Sequence, residues 1–177
     1  LLPERSALGA LVAGPPAEDL DRLLALAEDS RAALPADRVG RQGLMAQLVE
    51  EYLGHPRALT DEECLRFAVL GEDVHVRDVA WIAITRREAD AHQQLWQQVV
   101  ARAVPPFESA PVCLLGIAAW IAGNGVLTNF CIDKMADLDP DYTMTEVLAD
   151  LVTRALPPWL WEDIRSELQA EGGRLAG

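Results

Sequence analysis

Lysine is all but missing from this 177-residue chain. Lys134 stands among fourteen arginines, and fifteen basic residues face twenty-eight acidic ones. The formal net charge of −13 argues against a nucleic-acid binder, which needs a basic footprint on the phosphate backbone. Cysteine is scarce as well. Cys64, Cys113 and Cys131 are odd in number, far apart and set among apolar neighbours, with no C-x-x-C and no metal spacing. Neither a disulfide framework nor a zinc site is expected, and a reducing cytoplasm is the expected compartment. No apolar run reaches the ~18 residues of a membrane span. The opening residues are not expected to be a secretory signal, because Pro3, Glu4 and Arg5 interrupt the first apolar stretch and it has no basic n-region. The chain opens Leu1-Leu2-Pro3-Glu4 without methionine, so it reads as a segment of a longer protein.

What is present is apolar. Half the residues are hydrophobic, 24% are charged and the mean hydropathy is +0.07, which excludes a disordered chain. The length fits one domain with a core large enough to need no disulfide or metal. The arginine, alanine and leucine usage is that of a high-GC genome.

Helical periodicity dominates. Leu20, Leu23, Leu24, Ala27 and Leu34 form one apolar stripe after Gly14-Pro15-Pro16; Leu44, Met45, Leu48, Val49 and Tyr52 form a second, ending at Gly54-His55-Pro56. Thr60 with Glu63, Thr85 with Glu88 and Thr143 with Glu146 match the S/T-x-x-E capping box. Between the first two boxes, Val76, Val79, Ala80 and Ala83 keep helical period, so residues 74–84 read as helix. Residues 86–103 carry His92, Leu95, Trp96 and Val99 on one face, and residues 109–122 are apolar nearly all round, the mark of a buried central helix. Leu127, Phe130, Cys131, Met135 and Leu138 form a stripe stopped by Asp139-Pro140. A further helix runs to about Leu156, and Pro158 opens the last one, which Glu171-Gly172-Gly173 should end. The predicted fold is all-α: eight or nine helices in antiparallel hairpins. Residues 1–16 are expected as a leader from a preceding region, 17–172 as one helical domain and 173–177 as a frayed tail.

A shift of 34 residues aligns Pro106 with Pro140, Trp96 with Phe130 and Val104 with Leu138. That is the tetratricopeptide period, and it predicts tetratricopeptide-like hairpins rather than a regular array. Four patterns then occur in order: His92-x-x-Leu95-Trp96, Ala119-Trp120-x-x-Gly123-x-Gly125, Asp139-Pro140-x-Tyr142 and Leu156-Pro157-Pro158-x-x-Trp161. Together they resemble the C-terminal helical half of an actinobacterial family, Domain of Unknown Function 4192. The resemblance covers residues 73–161 well and residues 1–71 loosely. It implies an α/β-type half ahead of this one and assigns no catalytic residue.

Each candidate site competes with a plain structural reading. His92 has Glu88 one turn away, but His55 and His75 lie in other segments, so a packed core imidazole donating one hydrogen bond is expected in place of a metal site. Asp137, Asp139 and Asp141 alternate like a calcium loop, yet the sixth and twelfth positions are Tyr142 and Leu148 instead of Gly and Glu. Gly123-Asn124-Gly125 follows a helix and reads as a tight turn, not a phosphate cradle. Cys113 sits in the most apolar helix, where a thiol is inert. If Trp161 packs inward, Trp159 lies ~160° away around the helix and could anchor a partner; the plainer expectation is that both rings wedge into the preceding hairpin. No cofactor, metal or catalytic residue is assigned.

Two functions follow as expectations. The first is a protein-interaction module for a neutral or basic peptide or protein segment, with Asn124, Asn129 and Trp159 as contact candidates. A polar groove between helices would support it. The second is a docking, dimerisation or gating segment of a larger enzyme or ligand sensor whose chemistry lies in the preceding half. Catalysis within these helices would require a polar pocket around His92 with acidic partners.

Overall fold

The computed structural model describes the backbone of residues 7–175 and the side chains of residues 7–170. Nine α-helices of ten residues or more follow one another, with no strand among the described residues. They are α1 (Leu20–Ala32), α2 (Arg38–Gly54), α3 (Asp61–Leu70), α4 (Val74–Ala83), α5 (Ala89–Val100), α6 (Ser109–Ile121), α7 (Gly125–Leu138), α8 (Thr143–Thr153) and α9 (Trp161–Leu175). Short 3-10 turns at Ala17–Asp19 and Pro158–Leu160 precede α1 and α9. No described helix is long and apolar enough to cross a membrane.

Side-chain caps set several helix starts. The Asp37 carboxylate accepts from Gly40 N at 2.8 Å, and that of Asp73 accepts from His75 N at 3.0 Å. Thr60 and Glu63 form the full reciprocal box, with both bonds made. Such caps are worth roughly 1 kcal/mol each.

The other two boxes do not cap. Thr85 and Glu88 do bond: the hydroxyl accepts from Glu88 N at 3.2 Å and donates to its carboxylate at 2.8 Å. They close a turn, however, and α5 begins only at Ala89 and ends at Val100, inside the expected 86–103. Thr143 is already the first residue of α8, and Tyr142 occupies the cap without a side-chain bond. Tyr142 is held by Arg77 at 2.8 Å, which fixes the chain one residue too early for Thr143 to cap. At the far end α9 runs through Gly172 and Gly173 to Leu175, so the glycines do not stop it.

α6 is the axis of the molecule. Every residue from Ala110 to Ile121 is buried, and α5 and α7 flank it in chain order, with α8, α4 and α3 also against it. At about 1.5–3 kcal/mol per buried large aliphatic side chain, this helix, with more buried residues than any other described helix, is a major contributor to the core. Gly116 lets α7 and α8 approach closely: a Cβ there would lie 2.7 Å from Leu148 Cδ2 and 3.0 Å from Cys131 Cβ. The turn from α6 to α7 is tight because Gly123 adopts φ +81°, with Asn124 N bonded to Ala119 O at 2.8 Å and Gly123 N to Trp120 O at 3.0 Å.

The first four helices pair out of chain order. α1 lies along α3 and α2 along α4. Arg22–Asp61 joins the two N-terminal ends of the first pair, and Arg31–Glu72 joins their C-terminal ends, so these helices run parallel. Arg38–Asp73 and the Gln42 amide on His75 O do the same for the starts of α2 and α4. Ahead of α1, Val12 is buried and Gly9 sits against the Phe130 ring of α7.

Candidate functional site

Four of the seven glutamines fall in the six-residue stretch Gln93-Gln94-Leu95-Trp96-Gln97-Gln98. On α5 this pattern separates two faces. Leu95, Trp96 and Val99 are buried with His92, while the carboxamides line the outer side. Gln98 is the best anchored. Its Oε1 accepts from Leu59 N at 2.8 Å, and its Nε2 donates to Tyr52 Oη at 3.1 Å and to Arg57 O at 3.2 Å. The irregular segment between α2 and α3 has backbone groups that no helix satisfies, and this one side chain satisfies two of them.

The result is a shallow groove of 490 Å³ between residues 56–58 and α5. Gln94, Gln97 and Gln98 form one wall, with Arg57 and Arg102 among the lining groups. Both arginines are neutralised. Arg57 pairs with Glu63, whose carboxyl this bond holds down to about 2. Arg102 reaches Asp61 at 3.2 Å, and Asp61 lies below the ordinary carboxylate range chiefly through its bond to Arg22. The Gln94 and Gln97 carboxamides have no partner among the described residues, so both offer a donor and an acceptor to a ligand. The sequence signal for this surface is the doubled Gln-Gln at four-residue spacing, a pattern of neutral groups without an ionisable or metal-ligating side chain.

The residues singled out in the sequence fall elsewhere. Asn124 caps α7, accepting from Leu127 N at 3.2 Å, and its amide approaches Gln93 Oε1 at 3.5 Å. Asn129 is exposed on α7, outside the groove. Trp159 is 56% exposed while Trp161 is buried; the expectation that both rings wedge inward fails for Trp159, because the 3-10 turn at Pro158–Leu160 sends successive side chains to different sides. Trp161 tilts against Trp81 with ring centroids 5.6 Å apart and donates its indole N–H to Ile84 O at 2.6 Å. It thereby satisfies a carbonyl at the end of α4 and fixes the start of α9.

Tyr142 has an equally definite partner. The Arg77 guanidinium, almost wholly buried, donates to Tyr142 Oη at 2.8 Å, lies 5.4 Å from that ring's centroid and pairs with Asp78 at 2.6 Å. Burial pushes the Tyr142 phenol up to about 12, so it remains a neutral acceptor for a charge that needs one. Asp139 accepts from Asp141 N at 3.2 Å, shaping the turn that carries Pro140. Trp96 packs edge-on against Phe67 at 5.5 Å and, like Trp120 behind it on α6, is core. Gly125 is simply the first residue of α7.

His92 is fully buried, and burial drives its pKa down to about 4. Both ring nitrogens lack a hydrogen-bond partner, and so does Trp96 Nε1 one turn along. The Ala83 carbonyl faces the ring without reaching good bonding geometry. The structural reading holds for its burial, but the single expected hydrogen bond is missing. No group of three or more His, Cys, Asp or Glu side chains is placed to hold a metal among the described residues. Cys64 and Cys113 are buried, with thiols pushed up to about 12 by desolvation.

Fold and site together define an all-helical domain with a buried central helix and a carboxamide-lined outer groove. The chain matches the family model described as Domain of unknown function (DUF4192) over residues 1–159, nearly its whole length, and it belongs to that family. No curated protein and no solved structure matches it.

Proposed function

We propose that this domain is a protein-interaction module that takes a neutral or basic peptide segment along the glutamine groove of α5. The observation that carries this reading is the pair of unpartnered carboxamides, Gln94 and Gln97, beside two charge-compensated arginines. Carboxamides pair with the backbone N–H and C=O of an extended segment, and a surrounding charge of −13 disfavours acidic sequences. The sequential neighbours α5, α6 and α7 support tetratricopeptide-like hairpins for this part of the domain, with the high-GC composition in favour of an actinobacterial source. Three buried free cysteines accord with a reducing cytoplasm.

The test is selection from a displayed random-peptide library on the wild-type domain and on a Gln94→Ala/Gln97→Ala variant. Enrichment of neutral or basic sequences on the wild type, lost on the variant, supports the reading. Equal enrichment on both, or none on either, refutes it.

One observation favours the second reading, a docking, dimerisation or gating segment of a larger enzyme or ligand sensor. Trp159 is exposed, apolar and outside the groove, and tryptophan is enriched at binding hot spots. A Trp159→Ala change that leaves peptide selection intact yet weakens association with the rest of the protein would distinguish the two roles.

A further inference from the structure

The segment that borders the glutamine groove also borders a second, more enclosed pocket, between α2 and α3. We propose that this pocket binds a small organic monocarboxylate with an apolar body. Its volume is 310 Å³, at the small end of the range for small-molecule sites. Leu48 from α2, Phe67 from α3 and Leu59 from the connecting segment give it apolar walls. Phe67 and Leu59 are themselves buried, and so is Tyr52, which Gln98 holds in place.

Charge converges on the mouth. Glu51, Arg57, Glu63 and Arg66 all line it, with the His55 imidazole. The acids are already engaged: Glu63 by Arg57 and by Thr60 N, Glu51 by the Gln47 amide at 2.8 Å. Arg66 is different. It makes no ion pair or hydrogen bond among the described residues, although acids line the same pocket. Its planar fork of donors matches a carboxylate in two-point geometry. The two acids at the mouth disfavour a dianion such as phosphate, and the walls reward an apolar body, so the ligand class is a monoanion of modest size. This pocket shares Tyr52 and Arg57 with the peptide groove, but neither Arg66 nor Phe67 lines the groove and none of Gln94, Gln97 or Gln98 lines the pocket.

Phenylacetate and its neutral isostere phenylacetamide are the probes, followed by NMR of the labelled full chain. Phenylacetate is expected to shift the Arg66 side chain together with Phe67 and Leu59, with a Kd of about 1 mM. The Arg66→Gln variant should weaken binding about tenfold or more, Arg66→Lys less, and Arg87→Gln not at all. Equal binding of the amide, binding unchanged in Arg66→Gln, or no binding of phenylacetate, benzoate or isovalerate at about 20 mM overturns the proposal. Peptide selection on the Gln94→Ala/Gln97→Ala variant is unaffected by any of these outcomes, so the two readings stand or fall separately.

Discussion

Acidification should remove stability from this domain through one buried imidazole before most of its carboxylates take part. His92 is fully buried with both nitrogens unpartnered, and its pKa falls from 6.5 to about 4. An unfolded chain protonates this side chain below 6.5; the native state resists until about 4. Between those values the unfolded state binds more protons, so stability rises with pH and is lost as pH falls. The contribution is whole above 6.5 and exhausted near 4, with a ceiling of roughly 3 kcal/mol at 1.36 kcal/mol per unit. Glu63 adds a loss of the same sign in a lower window, from 4.5 down to about 2. Urea unfolding at a series of pH values would read the slope directly. A His92→Leu variant should lose the part of the slope above 4.5 and, having shed two unpaired nitrogens, be as stable as wild type or more so at neutral pH. Parallel curves for the two proteins across that window would sink the reasoning, as would an imidazole that titrates near 6.5 in the folded state.

Three further outcomes test the architecture. Ala155 follows α8 with φ +50°, where glycine is favoured, so Ala155→Gly should stabilise by about 1 kcal/mol in thermal unfolding. Gly116→Ala should cost about 1–3 kcal/mol, because the new Cβ meets Leu148 and Cys131 in a packed crossing; an unchanged urea midpoint would contradict the geometry. Trp161→Phe keeps the ring but strands the Ile84 carbonyl, for a loss of about 1–3 kcal/mol and faster amide exchange in the first turn of α9.

The fold class was legible because its signals are local and redundant. The all-round apolar run at residues 109–122 became α6, and the Thr60–Glu63 box formed as written. Helix boundaries failed where tertiary contacts outweighed local chemistry: Tyr142 is claimed by Arg77 from 65 residues away, and Thr143 loses its capping role. The patterns around Tyr142 and Trp161 could be seen but not explained until their partners, Arg77 and Ile84, came into place. The groove was harder still. Gln98 gains its meaning from Arg57 and Leu59, about forty residues earlier, and neutral carboxamides at a helix surface carry no marker in the sequence beyond their spacing.

The interleaving of the first four helices governs where the chain can be divided. Gly54-His55-Pro56 is among the clearest breaks in the sequence, and the stretch it opens is irregular in the structure. A cut there, however, leaves α1 and α2 on one side and the companion of each on the other. During synthesis, the apolar faces of α1 and α2 must wait until residues 61–83 have been made before either finds its mate. The most visible joint in the chain is therefore not a boundary between folding units but a link inside a single one.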